Sequence, residues 1–97
     1  MNIAIINCPV RTTAVPNNIP LGIYCVGASI KRAFPEDQVI YVDLNLKRPE
    51  VTPSEAADML PEADLYLLSG LITTYRWQKT LCNIIRTKFP GRPIVSG

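Results

Sequence analysis

Four short stretches of the chain are apolar without alternation: Ile3-Ala4-Ile5-Ile6, Val39-Ile40-Tyr41-Val42, Leu65-Tyr66-Leu67-Leu68 and Ile94-Val95. Strands buried on both faces of a parallel sheet read this way, whereas a half-solvated strand alternates. Between these runs the period changes. Ile23, Val26, Gly27, Ile30 and Phe34 recur at helical spacing, and Lys31 and Arg32 fall in the last turn, where they complement the helix dipole. Gly22 and Gly27 lower the propensity of that helix and predict close packing of it on the sheet. Thr52-Pro53-Ser54-Glu55 opens a short second helix reaching about Leu60, with Thr52 as cap, Pro53 at the first helical position and Glu55 completing a capping box. Trp77, Leu81, Ile84, Ile85 and Phe89 mark a third helix, and Pro90-Gly91 stops it.

The resulting order, βαβαβαβ, has apolar strands and crossovers long enough for helices. It predicts an α/β fold with a doubly wound parallel sheet, flavodoxin-like or Rossmann-like, in strand order 2-1-3-4 with right-handed crossovers. A doubly wound domain ordinarily adds a further helix and strand. Residues 1 to 97 are therefore expected to be the N-terminal part of a domain in a larger protein. Ligands of such sheets sit beyond the carboxyl ends of the strands, where the strand order reverses, which here is between strands one and three. The two least regular loops follow those strands: residues 8 to 20, with Pro9, Pro16 and Pro20, and residues 69 to 74. A loop of the first kind is long enough to be functional.

Composition narrows the chemistry. Hydrophobic residues make up 47% of the chain and charged residues 19%, so a packed core is expected. A net charge of +2 does not argue for nucleic acid or an anionic membrane as partner. The last third carries Arg76, Lys79, Arg86, Lys88 and Arg92 without an acid, a basic helix that reads as a solvated face rather than a docking surface. Cys8, Cys25 and Cys82 have neither the number nor the spacing of a disulfide framework or a zinc site. No stretch has the pattern of a membrane span or a signal peptide, so a reducing cytoplasm is the expected compartment. Histidine is absent, which removes Ser-His-Asp catalysis, imidazole acid–base chemistry and His–metal centres from this chain. The glycine fingerprints of dinucleotide and nucleoside triphosphate sites are missing. The ends of strands one and three carry Asn7-Cys8 and Ser69-Gly70 where a phosphoacceptor site needs carboxylates. Arg11-Thr12-Thr13 only faintly imitates a flavin-phosphate loop, and Ser69 lacks the preceding glycine and the base of a hydrolase nucleophile. A hydroxyl followed by glycine and an apolar residue suits a pocket lining: Ser69 can hydrogen-bond a ring nitrogen, Gly70 permits close backbone approach and Leu71 covers an aromatic face.

Ser69-Gly70-Leu71-Ile72-Thr73 resembles the Ser-x-Leu segment of cobalamin-binding domains, in the form found in methionine synthase, and Val95-Ser96-Gly97 resembles the start of their Gly-Gly segment. Asn7-Cys8-Pro9, then Asn18-Ile19-Pro20-Leu21-Gly22, a helix, and Val42-Asp43-Leu44-Asn45 resemble the start of the cobalamin-binding domain fused to radical S-adenosylmethionine enzymes. This resemblance implies cobalamin as cofactor, contacted by Cys8, Pro9, Leu21, Gly22, Ser69, Gly70, Leu71, Ile72, Thr73, Thr74 and Gly97. It also implies a radical S-adenosylmethionine domain of the same parent chain as partner. The histidine that ligates cobalt in the methionine synthase type has no counterpart, so the cofactor is expected base-off without an imidazole ligand. Its lower face would meet loop 8 to 20, where Asn7, Cys8, Arg11 and Asn17 are open candidates to approach cobalt. A Cys8 thiolate ligand is weaker than ordinary packing of that residue. The family's Cys-x-x-x-Cys-x-x-Cys motif is absent, so S-adenosylmethionine and the 4Fe-4S cluster are expected only in the remainder of the parent, a methyltransferase or cyclase, and this part is expected to bind without turning over. Apart from the resemblance, Ser69 reads as a strand-end hydroxyl capping the third helix, a role open to Thr73 and Thr74 as well. Tyr75 is a candidate for the pocket mouth and Asp43 for a plain strand-end acid. The alternative reading is a non-catalytic flavodoxin-like domain that binds another nucleotide or a partner protein.

Overall fold

The apolar runs pair as strands: β1 (Asn2–Asn7), β2 (Gln38–Asp43), β3 (Leu65–Ser69) and β4 (Ile94–Ser96) alternate with helices α1 (Leu21–Ala33), α2 (Pro53–Met59) and α3 (Tyr75–Lys88). The computed structural model describes residues 1–8, 21–44, 52–70 and 75–96. All strands are parallel, in the order β2-β1-β3-β4, so the fold is the flavodoxin-like α/β arrangement expected. The register sets Ile5 level with Tyr41 and Leu67, and Asn7 level with Asp43 and Ser69.

Side chains alternate across the sheet, and both faces are apolar because each meets a different helix layer. Ile3 and Ile5 point to the α1 side, where they bury Ile23 and pack with Val39, Tyr41, Leu65 and Leu67. Ala4, Ile6, Cys8, Tyr66 and Leu68 point to the other side, against Ala56 and Ala57 of α2 and Leu81 and Ile85 of α3. One helix on one face and two on the other is what right-handed crossovers give when the chain first steps outward to β2 and then returns past β1.

Local chemistry fixes the helix ends. Thr52 Oγ1 accepts from the Glu55 amide at 3.2 Å while Glu55 Oε1 accepts from the Thr52 amide at 3.3 Å, and Pro53 starts α2, so the capping box read from the sequence is formed. Lys88 Nζ donates to the Ala57 carbonyl near the end of α2 at 2.9 Å, and Arg92 pairs with Glu62 at 2.8 Å. Two of the five bases of the last third thus fasten α2 and the turn that follows it, while Arg76, Lys79 and Arg86 lie exposed on α3. The turn after α3 uses Gly91 at φ +80°, a conformation natural to glycine.

Of the apolar positions of α1, Ile23 and Gly27 are buried and Ile30 half-buried, but Val26 is 48% and Phe34 61% exposed. The sheet-facing seam of α1 is narrower than the full periodic set. Val26 turns to the flank above β3 and β4, and Phe34 falls just past the helix end.

Tyr66 is the largest fully buried side chain. Its hydroxyl accepts from the Ala63 amide at 2.9 Å and donates to the Pro61 carbonyl at 2.8 Å, and its ring stacks on Phe89 at 5.7 Å. Tyr66→Phe leaves those backbone groups without their partner, at a cost of about 1–3 kcal/mol. Urea unfolding should show a lower midpoint with an unchanged m-value; an unchanged midpoint would show that the hydroxyl does not hold this turn.

Candidate ligand cleft

The α1 face of the sheet is covered unevenly. α1 packs over β1 and β2, and beside it, above β3 and β4, lies an open cleft of about 330 Å³. Its floor is Ile5 of β1, Leu67 of β3 and Val95 of β4, and its wall is Gly22, Ile23 and Val26 of α1. Ser69, the last residue of β3, stands at its head. Val95 is 55% exposed and belongs to this cleft rather than to a closed core. A Cβ built on Gly22 would meet no atom of the described residues within 4 Å, so among them the cleft also has space along the first turn of α1. The volume is at the small end of ligand sites, enough for a flat bicyclic ring and too little for a whole nucleotide.

Above the apolar floor runs a polar row. Asp43, Asn7 and Ser69 end β2, β1 and β3 at one level, with side chains on the α1 side. Asn7 Nδ2 donates to Asp43 Oδ1 at 3.0 Å. From spacing alone Asp43 is a candidate for a plain strand-end acid, and nothing in that spacing joins it to Asn7. The signal was present in the polar residue closing each apolar run, but only the register shows that the three residues are neighbours.

Among the residues expected at a ligand site, Gly22 and Ser69 meet in the cleft. Cys8 and Gly70 do not line it. The Cys8 amide donates to the Ser69 carbonyl at 2.8 Å, continuing the β1–β3 pairing, but the Cys8 side chain turns to the opposite face, into the α2/α3 core. A Cβ on Gly70 would collide with the Gln78 amide and come within 3.2 Å of Cys8 Cβ, so Gly70 makes room for the buried Gln78 side chain, whose Oε1 accepts from Ser96 Oγ at 3.4 Å. Leu21 opens α1, but its side chain lies outside the described residues, as do Pro9, Leu71, Ile72, Thr73, Thr74 and Gly97 and, on the loop after β1, Arg11 and Asn17. Tyr75, at the start of α3, is 60% exposed. Among the described residues, no group of three or more Cys, Asp or Glu could hold a metal ion, and no helix is long and apolar enough to cross a membrane.

All three cysteines are free, in three different environments. Burial, with Cys82 adding to it, pushes the Cys8 thiol up to about 12, so at neutral pH it is a protonated core group and not a thiolate. Burial also raises the Cys82 thiol, whereas Cys25 is exposed on α1. With a disulfide reagent at pH 8, Cys25 should react first and Cys8 only on unfolding; early modification of Cys8 would contradict this placement. The sign of the pH effect follows from the same shift. The fold favours protonated Cys8, so its contribution is intact below pH 9 and is lost as pH rises from 9 towards 12.

No family model matches the chain, and no curated protein or solved structure matches it either.

Proposed function

We propose that the chain is the cobalamin-binding module of a radical S-adenosylmethionine enzyme of methyltransferase or cyclase type, taking the cofactor base-off without a histidine ligand. The observation that carries this reading is the apolar cleft headed by Ser69. The flat tail base of the cofactor fits between the floor of Ile5, Leu67 and Val95 and the α1 wall. The Ser69 hydroxyl is available at the head for a ring nitrogen, and the space beside Gly22, clear of the described residues, lets the base lie close to the helix backbone. Bound cobalamin supplies a cobalt centre that can take up and hand on an alkyl group. The residues described here bind and orient the tail and keep water from it. S-adenosylmethionine and the 4Fe-4S cluster belong, on this reading, to a partner domain of the parent chain. Three free cysteines support a reducing cytoplasm as its compartment.

A second reading, an interaction domain for a partner protein, is favoured by one feature of α1. From Leu21 to Ile30 the helix carries no charged side chain, although Tyr24, Cys25, Val26, Ala28 and Ser29 are exposed. Solvated helix faces are ordinarily charged, and an uncharged one suits contact with another protein surface. Corrinoid retention separates the readings: the first expects hydroxocobalamin to travel with the protein through gel filtration, and the second expects it to be left behind.

A further inference from the structure

We infer that Asn7, oriented by Asp43, is a specificity-determining residue of the cleft and accepts a hydrogen bond from a ribosyl hydroxyl of the ligand whose base lies beside Ser69. The inference rests on the cobalamin reading and adds to it which part of the cofactor is selected and by what.

A carboxylate at neutral pH only accepts hydrogen bonds, so the Asn7 amide has to turn its Nδ2 towards Asp43, as the 3.0 Å contact shows. The orientation of the amide is thereby fixed. Its Oδ1, on the other arm, is directed away from the carboxylate and is offered as an acceptor. Asn7 and Ser69 are register partners on adjacent strands, about 4.8 Å apart across the ladder, with side chains on the same face. Ile5 and Leu67, two residues earlier on those strands, form the apolar floor. A base lying on that floor with its edge at Ser69 carries its sugar directly on a ring nitrogen. The sugar therefore leaves the cleft at the level of the polar row, within one strand spacing of Asn7. The row thus matches a molecule that is flat and apolar at one end and bears a hydroxyl donor next to it.

The test compares hydroxocobalamin, which has the ribosyl tail, with dicyanocobinamide, which has neither ribose nor base. The dissociation constants of both are measured for the wild-type chain, Asn7→Ala and Asp43→Asn. The wild type should prefer hydroxocobalamin. Asn7→Ala should weaken hydroxocobalamin about tenfold, the effect of one hydrogen bond, and leave cobinamide unchanged. Asp43→Asn replaces an acceptor-only carboxylate by an amide that can either accept or donate, lets the Asn7 amide turn over, and should lower the preference in the same direction by a smaller factor. It also keeps the test decisive if Asn7→Ala does not fold. Equal weakening of both corrinoids, or an unchanged preference in both variants, overturns the role of Asn7 while leaving the cobalamin reading intact. Failure of the wild type to bind either corrinoid overturns the cobalamin reading itself.

Discussion

Gly27→Leu should lower stability by about 3 kcal/mol or more, the largest loss expected from a single substitution on α1. Gly27 is buried where the helix crosses Tyr41 of β2, and a Cβ there would overlap the Tyr41 hydroxyl and come within 2.6 Å of its ring carbons. The ring is already in contact with Tyr24, with centroids 4.6 Å apart, so moving it also disturbs that pair. Removing a helical glycine gains up to about 1 kcal/mol of propensity, while forcing volume into a packed contact costs about 1–3 kcal/mol for small excesses and more for a whole leucine. The clash wins. The double substitution Gly27→Leu, Tyr41→Ala should regain part of the loss in a urea titration, since it vacates the occupied volume. Gly22→Ala, with no atom of the described residues near its Cβ, should be tolerated. Equal effects at positions 22 and 27 would contradict the packing described for α1.

Ser69→Leu should abolish corrinoid retention while leaving the circular dichroism spectrum unchanged. Ser69 is half-buried at the head of the cleft and opens onto about 330 Å³ of unfilled space, so a leucine can be housed without displacing a strand. The space it takes is the space proposed for the tail base. An aromatic group of that size buries on the order of 150 Å². At about 25 cal/mol per Å² its exclusion removes about 3–4 kcal/mol, a factor of about 10²–10³ in affinity. Ser69→Ala loses only the hydroxyl and should weaken binding about tenfold or less. The ordering Leu far below Ala, and Ala below wild type, is specific to a filled pocket. Two variants with equal losses would point to a general disturbance of β3 instead.

The sequence made legible those features whose physics is local. Unalternating runs identified the four strands, and the Thr52–Glu55 spacing identified the α2 start, because capping chemistry is confined to one turn of helix. Of the candidate cleft, strand order alone was legible: β1 and β3 are adjacent, and Ser69, which ends β3, stands at its head. Features that depend on register were not legible. Gly22 and Gly27 look alike in sequence, and only the Tyr41 ring beneath one of them distinguishes their roles. Cys8, one residue past β1, is hydrogen-bonded to Ser69 at the end of β3, yet strand parity sends one side chain into the α2/α3 core and the other to the cleft. The Asn7–Asp43 pair joins residues 36 positions apart and exists because β1 and β2 pair without a shift.

The central claim is that the cleft between α1 and the ends of β1, β3 and β4 takes the tail of cobalamin. Its most direct test is gel filtration of the 97-residue chain after mixing with hydroxocobalamin at neutral pH, followed at the corrinoid and protein wavelengths. The account predicts corrinoid absorption in the protein peak at about one equivalent per chain, with a base-off spectrum. Elution of all the corrinoid in the small-molecule volume would contradict it.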